Sequence, residues 1–241
     1  MNVYIAAPFG NYIHRSGISS VMGTFTLKER TGLILQLIRT LRYSFIDKAW
    51  YNSLGLRNPG ILEGLRRYDK NSRDRLISIA AIEPSDWRNL HDIIPSHIPL
   101  EINISCPNIS KFLHYVKGIE LFANRNVIVK LPPEILDREL REIYDMGFRR
   151  FHSCNTLRTD RGARSGSILK TFVSNQIRTL KEMDENNFCI AGGGIEEWSD
   201  IHYYQTIGAN GYSFGSVCFN PYKLKKLVEY VTPCERCQSE N

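Results

Sequence analysis

From about residue 76 the chain alternates short apolar runs with longer amphipathic stretches. Leu76–Ala81, Leu100–Ser105, Asn126–Leu131, Arg149–Asn155, Phe188–Gly192 and Gly211–Gly215 read as strands. Several of them are apolar at consecutive positions, which predicts burial on both faces under a cover of helices. Helical spacing runs over Pro84–Ile94, Ile109–Leu121, Glu134–Met146, Ser174–Asp184, Glu197–Ile207 and Pro221–Val231. Ser85 or Asp86 is placed to cap the first of these helices, and Gly147 to stop the third. Alternating units of this size predict a parallel sheet in an α/β protein, either a barrel or a doubly wound sheet. The first sixty or so residues are less regular. Val3–Ala6 and Val21–Thr26 look extended, Leu33–Tyr43 fits helix or strand, and Asn52–Gly60 is turn chemistry.

The size of the chain, 241 residues, suits a single α/β barrel of about 250 residues, so one domain over 1–241 is expected, with a frayed tail from about 232. No apolar run reaches about 18 residues, and no charged-then-apolar leader opens the sequence. A cytoplasmic protein without a membrane partner is therefore expected. The net charge is +6, but acidic residues interleave with basic clusters such as Arg158, Arg161 and Arg164. That pattern favours solvated faces over a nucleic-acid partner. Six cysteines lie scattered, as in a reduced protein. Cys234 and Cys237 have metal-ligand spacing, but no second pair or nearby histidine completes it, so no metal is expected.

Candidate chemistry concentrates where strands end. Glu101-Ile-Asn-Ile-Ser-Cys-Pro-Asn108 is a buried strand that breaks into a polar loop. Asn103 and Asn108 supply amide donors and acceptors for a planar heterocycle, and Cys106 is a candidate base. Lys130 ends another apolar strand and is stopped there by Pro132-Pro133. It suits neutralising an anionic ligand, or pairing with a carboxylate at the rim. Asn155 repeats the amide chemistry, and Asn52 adds a fourth asparagine. Two late glycine turns, at Gly193 and Gly194 and at Gly215 and Ser216, suit a phosphate nest, or serve only as tight turns. The six histidines follow no metal spacing and read as surface or core residues.

Taken together, these segments resemble class 1 dihydroorotate dehydrogenases. Asn52–Gly60 is similar to that family's Asn-Ser-Met-Gly-Leu-Pro-Asn, and Glu101–Asn108 to its Glu-Leu-Asn-Leu-Ser-Cys-Pro-Asn. Val129–Pro133 matches Val-Lys-Leu-Pro-Pro, Thr26–Gly32 a Thr-Leu-x-x-Arg-x-Gly segment, and Ala191–Glu196 with Phe214–Ser216 the flavin-phosphate turns. The resemblance implies a TIM (β/α)8 barrel with FMN, acting in pyrimidine biosynthesis. It places the flavin phosphate on Gly193, Gly194, Gly215 and Ser216, and the flavin ring beside Lys130 and Asn155. Dihydroorotate or orotate would lie among Asn52, Asn103, Asn108 and Asn155, with Cys106 as base. It leaves the oligomeric state open, with a homodimer as one option.

The chain departs from the pattern on its early side. Gly23 stands where the family carries a second lysine, and Tyr12 and Ile13 stand where it carries small residues. The first barrel helix is nearly deleted, and the loops after Asn108 and Asn155 are short. The expectation is a dihydroorotate dehydrogenase-like protein with an incomplete site and impaired or absent catalysis. The alternative is a working minimal enzyme with a soluble electron acceptor. A third class, an RNA-acting flavoenzyme, lacks the basic second domain that it would need.

Overall fold

Eight parallel strands close on themselves. In a computed structural model, which describes residues 1–68, 74–104 and 116–231, the strands in chain order are β1 (Asn2–Ile5), β2 (Ser19–Phe25), β3 (Arg42–Ser44), β4 (Ala49–Asn52), β5 (Arg75–Ile79), β6 (Leu100–Asn103), β7 (Val127–Lys130), β8 (Arg150–Ser153), β9 (Leu157–Thr159), β10 (Gly162–Arg164), β11 (Phe188–Ala191) and β12 (Gly211–Phe214). The barrel order is β1-β12-β11-β8-β7-β6-β5-β2, closed by the pairing of β2 with β1. All eight barrel strands coincide with the stretches expected from the sequence, to within two residues at each end.

The α-helices among the described residues are α1 (Leu33–Thr40), α2 (Ile61–Arg67), α3 (Asp86–Ile93), α4 (Asp137–Asp145), α5 (Leu169–Met183), α6 (Trp198–Thr206) and α7 (Pro221–Val231). Ser85 makes no side-chain cap on α3; Asp86 instead accepts from the N–H groups of Ile82 (2.9 Å) and Glu83 (3.1 Å). Most of the helix expected over Ile109–Leu121 lies outside the described residues, and its described end holds a 3₁₀ turn, Ile119–Phe122.

The first helix of the barrel is missing, as expected. A single 3₁₀ turn, Phe9–Asn11, precedes the return to β2. Gly10 sits so close to β2 that a Cβ would lie 2.3 Å from the Val21 carbonyl oxygen. Of the two bulky residues there, Tyr12 turns away from the barrel and is 74% exposed, whereas Ile13 is half-buried and packs against the core.

Leu33–Tyr43 contains both alternatives: α1 leads into β3. With β4, β10 and β9, β3 forms an antiparallel sheet outside the barrel that the sequence pattern did not reveal. Its strands of three or four residues are too short for alternation to register.

Two apolar clusters divide the core. The larger fills the layer between barrel and helices and includes Ile77, Trp87, Ile102, Phe151 and Phe214. The smaller is formed by Tyr4, Val21, Leu76, Ile128 and Ile190, and fills the barrel interior toward the strand N-termini. This apolar floor explains why the strands lack simple alternation: both faces are buried there.

Candidate functional site at the barrel mouth

Above the apolar floor, the inward positions turn polar. Register pairs Ser78 with Glu101, and places Asn103, Lys130 and His152 side by side on β6, β7 and β8. Strand alternation then brings Glu101 and Asn103, two residues apart, to the same interior face. Glu101, His152 and Lys130 are at most 5% exposed.

The side chains join in one continuous chain of hydrogen bonds. His152 Nδ1 lies 2.7 Å from Glu101 Oε2, and Ser78 Oγ donates to Glu101 Oε1 at 2.8 Å. An ionised carboxylate only accepts, so His152 carries its proton on Nδ1 and leaves Nε2 bare. With its proton committed to Glu101, Ser78 Oγ accepts from Thr24 Oγ1 at 2.9 Å. Thr24 Oγ1 in turn accepts from Asn103 Nδ2 (3.2 Å), and Asn103 Oδ1 accepts from Asn155 Nδ2 (3.4 Å). Asn155 Oδ1 closes the run by accepting the Thr156 N–H at 2.9 Å. Every donor in the series points toward Glu101.

Charge explains that polarity. Burial alone would raise the Glu101 carboxyl, but the Lys130 charge and the hydrogen bonds from His152 and Ser78 outweigh it and hold the group at about 2. Burial, followed by the Lys130 charge, pushes the His152 imidazole below its ordinary value, so it is neutral at pH 7. Lys130 thus acts through its charge on a buried carboxylate inside the barrel rather than on one at its rim. Gly192 completes the packing: a Cβ there would lie 2.0 Å from His152 Nε2, so only glycine fits.

The two glycine turns follow β11 and β12, which are neighbours in the barrel. The N–H groups of Gly193, Gly194 and Gly215 have no acceptor among the described residues, and Ser216 opens a 3₁₀ turn (Ser216–Phe219), whose first N–H has no partner within the turn. The first turn is firmly held. Tyr204 on α6 donates to the Gly193 carbonyl at 2.7 Å. Asp200 accepts from the N–H groups of Glu196 (2.9 Å) and Glu197 (3.1 Å) and pairs with Lys170. Gly193 and Gly194 also have a packing reason to be glycine, since a Cβ would lie 2.8 Å from Leu169 Cβ and 2.7 Å from Lys170 Cγ, respectively. Around Gly215 the nearest atom to such a Cβ, Ala6 Cβ, is 4.0 Å away. Free donors on a braced turn beside open space are chemistry that fits a phosphate.

The early side differs. Gly23 has φ +104°, and a Cβ there would lie 2.6 Å from the Ser78 carbonyl oxygen. The backbone therefore excludes any side chain where the family carries its second lysine. The Gly23 N–H donates to Asn11 Oδ1 at 3.1 Å, so the short turn after β1 is fastened to the same point.

Of the residues singled out from the sequence, Asn103, Lys130 and Asn155 come together, with the four turn residues at the same end of the barrel. Asn52 stands apart from the hydrogen-bonded chain. It ends β4, pairs with Ala163 of β10, and accepts from the Leu54 N–H at 3.4 Å. Cys106 and Asn108 lie outside the described residues, as do Cys234 and Cys237. Burial pushes the thiols of Cys154 and Cys218 up to about 12 and that of Cys189 to about 11, so none of these is a base. Among the described residues no group of histidine, cysteine or carboxylate side chains could hold a metal.

Asn58, inside the matched Asn52–Gly60 segment, is structural. Its Oδ1 accepts from Thr26 N (3.0 Å) and Gly60 N (2.8 Å), and its Nδ2 donates to Thr26 Oγ1 (2.9 Å) and the Leu56 carbonyl (2.6 Å). Sequence reasoning missed Thr24, Ser78, Glu101 and His152 as a unit. The available signal was a single polar residue at an inward position in each of several otherwise apolar strands.

No family model matches the chain. It is 23% identical over 245 residues to the catalytic subunit of dihydroorotate dehydrogenase B from Staphylococcus carnosus, covering 87% of this chain and 80% of that one. The corresponding subunit from Exiguobacterium sibiricum is also 23% identical, over 247 residues, covering 87% and 79%. Among solved structures, ligand-free dihydroorotate dehydrogenase from Eimeria tenella superposes with a TM-score of 0.71 at 18% identity, covering 94% of this chain and 81% of that one. The same enzyme in complex with ferulenol gives 0.69 at 18% identity, covering 87% and 72%. The barrel is thus the one found in those structures, and the chain is a divergent, dihydroorotate dehydrogenase-like protein.

Proposed function

We propose that this chain is a cytoplasmic, dihydroorotate dehydrogenase-like barrel that retains the phosphate side of a flavin site but has lost one clamp of the catalytic site, so that dihydroorotate oxidation is impaired or absent. The N–H groups of Gly193, Gly194, Gly215 and Ser216 would take the FMN phosphate. Lys130 and Asn155 would meet the ring, and Asn103, with Asn52 and Asn108, the orotate amide edge. A bound flavin supplies a hydride acceptor. Lys130 contributes positive charge, and the Glu101–His152 pair keeps it from being an uncompensated buried cation. Cys106 is the remaining candidate for the proton-abstracting base.

The observation that carries this reading is Gly23, where a Cβ would lie 2.6 Å from the Ser78 carbonyl oxygen. A charge-assisted hydrogen bond from a lysine there would be worth about 1.5–3 kcal/mol, and nothing on β2 replaces it. Lys28 is exposed, three residues beyond the end of the strand.

The test is steady-state oxidation of dihydroorotate by FMN-supplemented protein with a soluble dye as acceptor. The expected result is a rate indistinguishable from the protein-free control. Robust turnover that a Cys106→Ala change abolishes would instead establish the working minimal enzyme.

A further inference from the structure

The helix α1 is oriented inside out. Gln36 and Thr40, one turn apart, face the protein: Gln36 Nε2 donates to the Ser53 carbonyl at 2.7 Å, and Thr40 Oγ1 accepts from the Ser53 N–H at 3.0 Å. That pins the polar stripe inward and turns the opposite stripe outward. None of the eight residues of α1 is buried, and Ile34, Leu35 and Ile38 are 76%, 52% and 74% exposed. β3 follows at once, and the turn beyond it exposes Phe45 and Ile46 by 85% and 95%. With Leu37 and Tyr43, seven large hydrophobic side chains within thirteen residues thus meet solvent, whereas singly exposed ones are ordinary.

The charge of the chain gathers around the same excursion. Residues 28–57 and 157–165, which contain α1, β3, β4, β9 and β10, hold nine basic and three acidic residues, a net +6; the rest of the chain holds 22 of each. Asp47 is consumed internally by Arg161 and Arg164. Lys28, Arg39, Arg42 and Lys48 are exposed and make no ion pair with described residues.

We propose that α1 and the Phe45–Ile46 turn dock on an anionic lipid surface, with the apolar side chains entering the interface and the basic ones meeting phosphates. Apolar residues flanked by unpaired Lys and Arg are the composition that such surfaces select. A second copy fits poorly, because pairing this face with itself would bring two positive surfaces together. No helix among the described residues is long and apolar enough to cross a membrane, so the contact would be peripheral. It departs from the sequence-based expectation of no membrane partner, which rested on the lack of a long apolar run and of an apolar leader, and it does not depend on the flavin reading.

The test is co-sedimentation of the full chain with vesicles of phosphatidylcholine containing about one third phosphatidylglycerol, against phosphatidylcholine alone. Binding to the anionic vesicles only, weakened by salt, is expected. The pairs Ile34→Ser with Ile38→Ser and Phe45→Ser with Ile46→Ser should each weaken it by about tenfold or more, with unchanged unfolding midpoints. Arg39→Gln with Arg42→Gln and Lys48→Gln should weaken it and flatten the salt dependence. Three results would each overturn the proposal: no sedimentation with anionic vesicles at low salt, sedimentation indifferent to all these substitutions, or a dimer in sedimentation velocity that Ile34→Ser with Ile38→Ser dissolves.

Discussion

Glycine stands on both sides of the barrel mouth, for opposite reasons. At Gly215, after β12, the nearest neighbour of an added Cβ would be 4.0 Å away, and the backbone N–H has no acceptor among the described residues. At Gly23, on β2, the same atom would lie 2.6 Å from the carbonyl of the neighbouring strand. One glycine leaves room for a ligand, and the other is there because the chain leaves no room for a side chain. On the function proposed above, the missing early clamp is written into the backbone of β2, and changing one residue would not restore it. The hydrogen-bonded chain between these two sides runs unbroken from Glu101 to Thr156, which separates the stability of the barrel from the competence of its mouth.

The comparison breaks most visibly at Glu101. Glu101→Ala leaves Lys130 buried without its counter-charge and should cost about 3–5 kcal/mol in urea unfolding. Glu101→Leu with Lys130→Met should recover most of that loss, because it removes both charges. Equal costs for the single and double variants would mean that the pair is not coupled.

Gly23→Lys should destabilise by about 1–3 kcal/mol through its positive φ and the collision with Ser78, without raising FMN affinity. A stable variant with tighter FMN binding would show that the two sides of the mouth differ only in residue identity. Asn58→Ala should cost about 2 kcal/mol, since it orphans buried donors on Thr26 and Gly60, and should leave the late turns untouched.

A smaller effect follows from pH. His152 is held neutral below its ordinary value of 6.5, so its contribution to stability is full above that pH and is lost as pH falls below it. The slope it adds between pH 7 and 5 is at most about 1.4 kcal/mol per unit, and His152→Asn should flatten that part of the curve. The depressed Glu101 carboxyl adds a second loss further down, between its unfolded value near 4.5 and about 2.

The parts of this architecture that were legible in the sequence are those governed by local rules. Strands buried on both faces announce themselves as apolar runs, so β5 to β8, β11 and β12 were visible, and glycine after a strand marked the turns. Asn103, Lys130 and Asn155 converge because each ends a neighbouring or near-neighbouring barrel strand. The rest depends on contacts distant in sequence. His152 looked like a core residue because its partner, Glu101, is 51 residues away. Gly23 looked like a missing side chain, and only the approach of β5 shows that none fits. The β9–β10 hairpin and the reversed orientation of α1 are set by pairing with β4 and by Ser53, which no periodicity encodes.

Visible absorbance of the purified full chain, recorded before and after FMN is added and then with dihydroorotate under anaerobic conditions, bears most directly on the claim that the phosphate side survives while the catalytic side does not. The expected result is a flavin band that appears on supplementation, washes out on dialysis and is not bleached by dihydroorotate. A band that persists through dialysis at one flavin per chain and bleaches with dihydroorotate would contradict the claim.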